Sequence, residues 1–393
     1  MLGPAAITTH LTDLGAEVIK VEPPAGDYVR EMTWPIVEGV SLMHLHLNRG
    51  KRSVVLDLRS ESGRQLFLEL VRRADAVVEA MRPGGLERRG LGYETLRQVN
   101  PRIVMITISG YGTTGPYKDL PSHGVAYDTW AGLVQPEIDE EGFAHIPEHP
   151  SIGIHAGPLF GALGILAGII RARDQGVGCR MEIAQADAAA AMDWLRSETW
   201  KAYERPEDEV TGNKADGYVR RAPGTAGMRD GVRYQIYETK DGFVLFQASE
   251  RAFWRSFCRG VGREDLFERF PGAPVADHAT GNRELQAELR DIFRGRTSAE
   301  WIAFGAEHNT PIAPVNTPRS LADDPQFVHR LGFLPREVLG AEQLPLPLKL
   351  VDEALPMPAK APRLGEHTDV VLRDTLGYDD AQIAAWRQAG AVG

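Results

Sequence analysis

The 393-residue chain has two cysteines, Cys179 and Cys258, and neither belongs to a CxxC or Cys/His spacing. That argues against a disulfide scaffold and a zinc site, and two inert thiols in a reducing, cytoplasmic setting are expected. Long apolar runs are scarce as well. The longest, residues 157–170, is short and glycine-rich for a bilayer span, and no charged segment followed by an apolar one opens the chain. Positive charge is in deficit: 44 lysines and arginines stand against 54 aspartates and glutamates. The formal net charge of −10 disfavours nucleic acid and anionic membrane surfaces as partners, so an anionic ligand must be held by a local group of arginines. Internal repeats, low-complexity tracts, a P-loop, HExxH and GxSxG are all missing.

What is present is an ordinary globular composition, 43% hydrophobic and 25% charged, in a chain long enough for two domains. Ile7, Leu11 and Leu14 fall at i, i+4 and i+7 and predict an opening helix, ahead of which a further strand is expected. Residues 15–22 read as a short buried strand ended by Pro23 and Pro24, and residues 52–58 as the next strand. A helix over 60–73, a strand at 76–79, a helix over 93–99 and a strand at 103–108 continue the alternation. Such spacing predicts βαβ crossovers. The expected fold is α/β, with a doubly wound, mostly parallel, Rossmann-like sheet whose ligands sit at the carboxyl ends of its strands. A helix rich in small residues follows over 157–173, and from Tyr234 the pattern changes to a hairpin with Asp241-Gly242 at its turn. Three parts are predicted: a large α/β domain over 1–224, a small α+β domain over 225–318, and a C-terminal segment over 319–393 that returns to the large domain.

Positive charge concentrates before residue 90, where Arg30, Arg49, Lys51, Arg52, Arg59, Arg82, Arg88 and Arg89 fall at or just after predicted strand ends or in loops. The group suits a pyrophosphate and a 3′-phosphate, and it equally suits a solvated surface. Gly110, Gly112 and Gly115 match GxGxxG after a strand. Pro116 and the residues after it do not read as a helix start, so a nicotinamide site is not expected.

Several segments, taken in order, resemble the type III CoA-transferases (CaiB/BaiF), which include formyl-CoA and carnitine CoA-transferases and the α-methylacyl-CoA racemases. They are LGAEVIKVE at 14–22, Gly26-Asp27 with Arg30, NRGKRSV at 48–54, Arg82-Pro83-Gly84, ISGYG at 108–112 with Gly115-Pro116, and PVNT at 314–317. The resemblance implies an enzyme that moves coenzyme A between an acyl-CoA and a carboxylic acid, without a metal or redox cofactor. It also implies two intertwined subunits in a ring-like homodimer. By the same resemblance Arg30, Arg59, Arg82 and Arg88 contact the CoA nucleotide and phosphates, and Arg89 lies in the same cluster. Gly224 and Gly227 are similar to a glycine-containing loop that covers the family's active site, although an interdomain linker would read the same way.

One expected residue is missing. In the family's transferases an aspartate just before the glycine-rich helix attacks the thioester, forms a mixed anhydride and then becomes an aspartyl-CoA thioester. Here its place falls at Ile154, and no Asp or Glu occurs between His149 and Arg173. His155 can act as a base or acyl carrier, or merely as a histidine at a helix start. His123 matches the racemases' catalytic histidine. Three readings stay open: a transferase in which Asp128 or another nearby carboxylate substitutes; an acyl-CoA racemase or isomerase using His123 and His155; and a non-catalytic CoA-binding subunit paired with an aspartate-bearing homologue. Trp130, Trp194, Trp200 and Trp254 are candidates for a pocket lining, with core packing the commoner role.

Overall fold

The structure, a computed structural model, describes residues 2–32, 35–212, 218–220, 228–274 and 276–393. The chain divides into two compact units, one of Met1–Trp194 with His329–Gly393 and one of Leu195–Val328.

In the first unit the order is α1 (Leu2–Asp13), β1 (Ile19–Glu22), α2 (Leu42–Asn48), β2 (Arg52–Val55), α3 (Glu61–Arg73), β3 (Ala76–Glu79) and α4 (Tyr93–Val99). It continues through β4 (Val104–Ser109), α5 (Gly124–Trp130), α6 (Gly153–Gln175), β5 (Arg180–Ala184) and α7 (Gln185–Met192). β1 and β2 pair in parallel, with Ile19 opposite Arg52. β3, β4 and β5 form a parallel sheet with β4 in the middle, Ala76 opposite Val104 and Met105 opposite Arg180. The fold is therefore mixed α/β with parallel strands. β4 is a nearly unbroken apolar run because both of its faces are covered. Met105 enters one core with Leu66, Leu70 and Leu96, whereas Ile106 and Ile108 face a second with Ile7, Leu11 and Ile165.

α6 runs for 23 residues and begins at Gly153, one turn ahead of the start read from its sequence. By length and composition alone it could cross a membrane. Within this unit one side of it is packed, and its glycines permit the close approach: a Cβ on Gly161 would lie 2.6 Å from Ile7 Cδ1, and one on Gly168 would lie 2.8 Å from Val104 Cγ1. The C-terminal segment joins the same unit. His367 N donates to Ser53 O at 3.0 Å, Val55 N donates to Thr368 Oγ1 at 3.2 Å, and Val371, Leu372, Ile383 and Val392 complete the core around Met105.

The second unit holds an antiparallel sheet of β6 (Tyr234–Glu238), β7 (Phe243–Gln247) and β8 (Ile312–Pro314), in that order. Its Asp241-Gly242 turn is closed by Thr239 N donating to Gly242 O at 2.9 Å. An aromatic core of Phe246, Trp254, Phe257, Phe293 and Trp301 fills the space under this sheet.

Candidate active site

Four residues at the start of α6 set the local problem. The helix opens Ile152-Gly153-Ile154-His155, none of which caps the first backbone donors with a side chain. Asp128, from the end of α5, supplies the cap: its Oδ1 accepts from Ile152 N at 3.1 Å and from Gly153 N at 2.8 Å. A carboxylate here is also favoured by the helix dipole. Asp128 is fully buried, and its other oxygen has no hydrogen-bond partner; it lies 3.9 Å from the equally unpartnered Nε2 of His149.

Ile154 is half-buried, and its Cγ2 lies 3.0 Å from where a Cβ on Gly124 would sit. The preceding residue, His123, is the exposed N-cap of α5, so the structure brings His123 beside Ile154. His155 is also exposed, but it lies about 100° further round α6. Its field acts on His10 of α1 and His46 of α2.

Aromatic rings border the C-terminal half of α5. Tyr111 stands 6.2 Å from Tyr127, 6.4 Å from Trp130 and 5.7 Å from Tyr117, all edge to face. Trp130 and Tyr117 are about half exposed and Trp194 and Trp200 more so, whereas Trp254 is core. Sequence reasoning missed one carboxylate. The start of α7 packs on the first turns of α6, where a Cβ on Gly157 would lie 2.9 Å from Gln185 Cγ, and two residues on, Asp187 is exposed in the first turn of α7. Its signal was the strand end at Ala184 followed by Gln-Ala-Asp.

The basic cluster divides into two groups. Arg30 donates to both oxygens of Glu22 (3.1 and 2.6 Å), to Pro362 O (3.0 Å) and to His44 Nε2 (3.2 Å). Arg49 donates to both oxygens of Asp13 (2.9 and 2.5 Å) and to Gln343 Oε1 (3.1 Å). Lys51 is buried, and its Nζ donates to Ala5 O (2.7 Å) and Leu47 O (2.6 Å). These three cations hold the fold together. The second group is solvent-facing and follows the carboxyl end of β3: Arg82 and Arg88 are exposed, and Arg89 is half-buried with Nη1 donating to Gly85 O at 2.7 Å. Arg59 is exposed elsewhere, paired with Asp57 at 2.9 Å. Gly224 and Gly227 lie outside the described residues. Among those residues no group of His, Cys, Asp and Glu is arranged to hold a metal ion.

Burial, followed by the nearby Arg49, pushes the His46 imidazole down to about 4; burial and then Arg30 do the same to His44. Arginine only donates, so His46 Nδ1, 3.1 Å from Arg49 Nη1, is the accepting nitrogen of a neutral ring. Between pH 6.5 and 4 the unfolded chain therefore binds protons that the folded chain does not. Stability should fall as the pH drops through that window, by about 1.4 kcal/mol per pH unit for each such histidine. Urea unfolding at a series of pH values tests this; a His46→Gln variant with an unchanged slope would count against it.

A family model, CoA-transferase family III, matches residues 1–368. This chain belongs to that family. Over all of its length it is 28% identical to the human succinyl-CoA:glutarate CoA-transferase, covering 87% of that protein. Over 95% of its length it is 29% identical to the succinyl-CoA–L-malate CoA-transferase beta subunit of Chloroflexus aurantiacus, covering 91% of it. A crystal structure of a CaiB/BaiF family protein from Brucella suis superposes with a TM-score of 0.74 at 26% identity, covering 94% of each chain. At the start of α6 stand Ile154 and, at the N-cap of α5, His123, with the carboxylates of Asp128 and Asp187 carried by the neighbouring helices α5 and α7.

Proposed function

We infer that this chain transfers coenzyme A from an acyl-CoA thioester to a carboxylic acid acceptor. The match of the family model over 1–368 carries this reading, supported by relatives whose names are those of CoA-transferases acting with succinyl-CoA. We assign the CoA phosphates to Arg82, Arg88 and Arg89. Their position after the carboxyl end of β3, free of the buried ion pairs that occupy Arg30 and Arg49, supports the assignment.

Transfer through an enzyme carboxylate balances as follows. The carboxylate attacks the thioester carbonyl and expels CoA thiolate; the thiolate attacks the enzyme's own carbonyl in the mixed anhydride and releases the first acid; the acceptor carboxylate then repeats the exchange in reverse. Two carboxylates are available for that role: Asp128, which has one oxygen unpartnered, and the exposed Asp187. Ile154 favours a second reading, in which this chain is one subunit of a heteromer whose partner brings the aspartate. The relative that is itself a beta subunit adds to it. Enolisation by His123 and His155 is the third reading, supported by the exposure of both residues at the start of α5 and of α6.

The assembly we assign is the intertwined, ring-like homodimer, with a doubly wound sheet. Helices on both faces of β4 support the topology, and an exposed stripe of Leu159, Leu163, Leu166 and Ile170 along α6 supports the second subunit. Two free thiols fit the cytoplasm. The test is exchange of isotope-labelled CoA between succinyl-CoA or another acyl-CoA and a panel of acids. Exchange by the pure homodimer, with the KM for acyl-CoA raised about tenfold or more in Arg82→Gln/Arg88→Gln, is the expected result. Exchange only after a homologous chain is added would establish the heteromer; none with any donor, acceptor or partner would end the transferase reading.

A further inference from the structure

A second group of arginines lies at the opposite ends of the same strands. Arg72 and Arg73 close α3, Arg102 lies in the turn before β4, and Arg173 lies in the last turn of α6. Together they rim a hollow of about 230 Å³ whose one acidic lining residue is Asp75. Three of these cations have an ordinary explanation, since arginine at a helix end complements the dipole. That does not account for Arg102, which belongs to no helix, nor for two separate helix ends meeting in one hollow. Arg72 pairs with Glu69, and Arg173 lies 3.8 Å from Asp75. Arg73 and Arg102 have no ion-pair partner among the described residues. Two of the carbonyls around the end of α3, which would repel an anion, are occupied: Asn100 Nδ2 donates to Val71 O at 3.1 Å and to Ala74 O at 2.8 Å.

The geometry points to a binding site for a small multivalent oxyanion at the amino ends of β3 and β4, separate from the CoA arginines at the carboxyl end of β3. Guanidinium forks match phosphate and carboxylate oxygens two at a time. The hollow is smaller than the roughly 300–1,000 Å³ of pockets that take drug-sized ligands, so the occupant has the size of a pyrophosphate or a tricarboxylate and not of a whole nucleotide coenzyme. In a chain of net charge −10, such a concentration of cations is the feature that would draw an anion to this end of the sheet.

Isothermal titration of the full chain, free of CoA, with inorganic pyrophosphate at about 0.15 M salt tests the site. A citrate titration distinguishes phosphate from carboxylate chemistry. The expected result is one saturable isotherm for at least one of the two anions, weakened about tenfold or more in Arg73→Gln/Arg102→Gln and unchanged in Arg82→Gln/Arg88→Gln. Arg73→Lys/Arg102→Lys keeps the charge but loses the fork, and should bind at an intermediate strength. Matching thermal melts of the parent and both pairs in the absence of anion show that folding is intact. No saturable heat with either anion would overturn the proposal. So would affinity that survives loss of Arg73 and Arg102 but vanishes with Arg82 and Arg88, which would assign the anion to the CoA site.

Discussion

Replacing Ile154 with aspartate should give the chain a carboxylate that acyl-CoA labels, and should raise CoA exchange about a hundredfold or more over the parent, a barrier change of about 2.7 kcal/mol. The physical case begins with position. Residue 154 is the second in α6, inside the first turn, where unpaired backbone N–H groups and the helix dipole favour an anion. The Ile154 side chain packs against Gly124, the residue after the exposed His123, so a carboxylate there would stand at the start of α5, whose far end carries the half-exposed Trp130. Losing a half-buried isoleucine costs about 1 kcal/mol of burial, an amount a folded chain tolerates. Mass spectrometry after incubation with acyl-CoA, with and without hydroxylamine, reads the outcome directly: a hydroxylamine-sensitive adduct at position 154 in the variant, and at Asp128 or Asp187 in the parent. A variant that folds, binds CoA and takes no label at 154 would show that the acyl group is carried elsewhere.

Local pattern made part of this molecule legible and non-local contact hid the rest. The strand at 76–79 and the helix at 93–99 lie where periodicity and flanking turn residues put them, since each depends on its own residues. α6 starts earlier than its composition suggests because its cap, Asp128, comes from another helix 24 residues upstream. The family could be read from ordered motifs, yet the motif NRGKRSV turned out to hold buried structural cations. Arg49 and Lys51 have partners at Asp13, Gln343 and Ala5 that no spacing rule connects to them. Arg30 looked like a phosphate ligand for the same reason: its carboxylate, Glu22, sits on β1, and its carbonyl partner, Pro362, comes from the far end of the chain. Charge is visible in a sequence, whereas whether that charge already has a partner is a property of the fold. The neighbourhood of His155 with His10 and His46 was hidden likewise, because it joins three helices.

Asp13→Ala should destabilise the first unit by about 3–5 kcal/mol, a large part of the 5–15 kcal/mol typical of a folded domain. Arg49 and Asp13 have 2% and 6% side-chain exposure, so the pair is effectively dry. Removing the carboxylate leaves a guanidinium that cannot neutralise itself by losing its proton, with Gln343 and the neutral ring of His46 as its remaining partners. The cost is that of a stranded charge and not the net strength of the ion pair. A double variant, Asp13→Ala/Arg49→Met, should therefore recover most of the loss, because it takes both charges out of the interior and refills the volume. Urea unfolding of the four proteins in that cycle measures the coupling, and a single variant that loses under about 1 kcal/mol would show that water reaches Arg49. The consequence extends beyond stability. Asp13 ends α1, and α1 carries Ile7 against Gly161 of α6 and Gly3 against Ile108 of β4. Loosening that helix frees the packed side of α6, whose first turn holds Ile154, so the single variant should lose CoA exchange and the double variant should regain it.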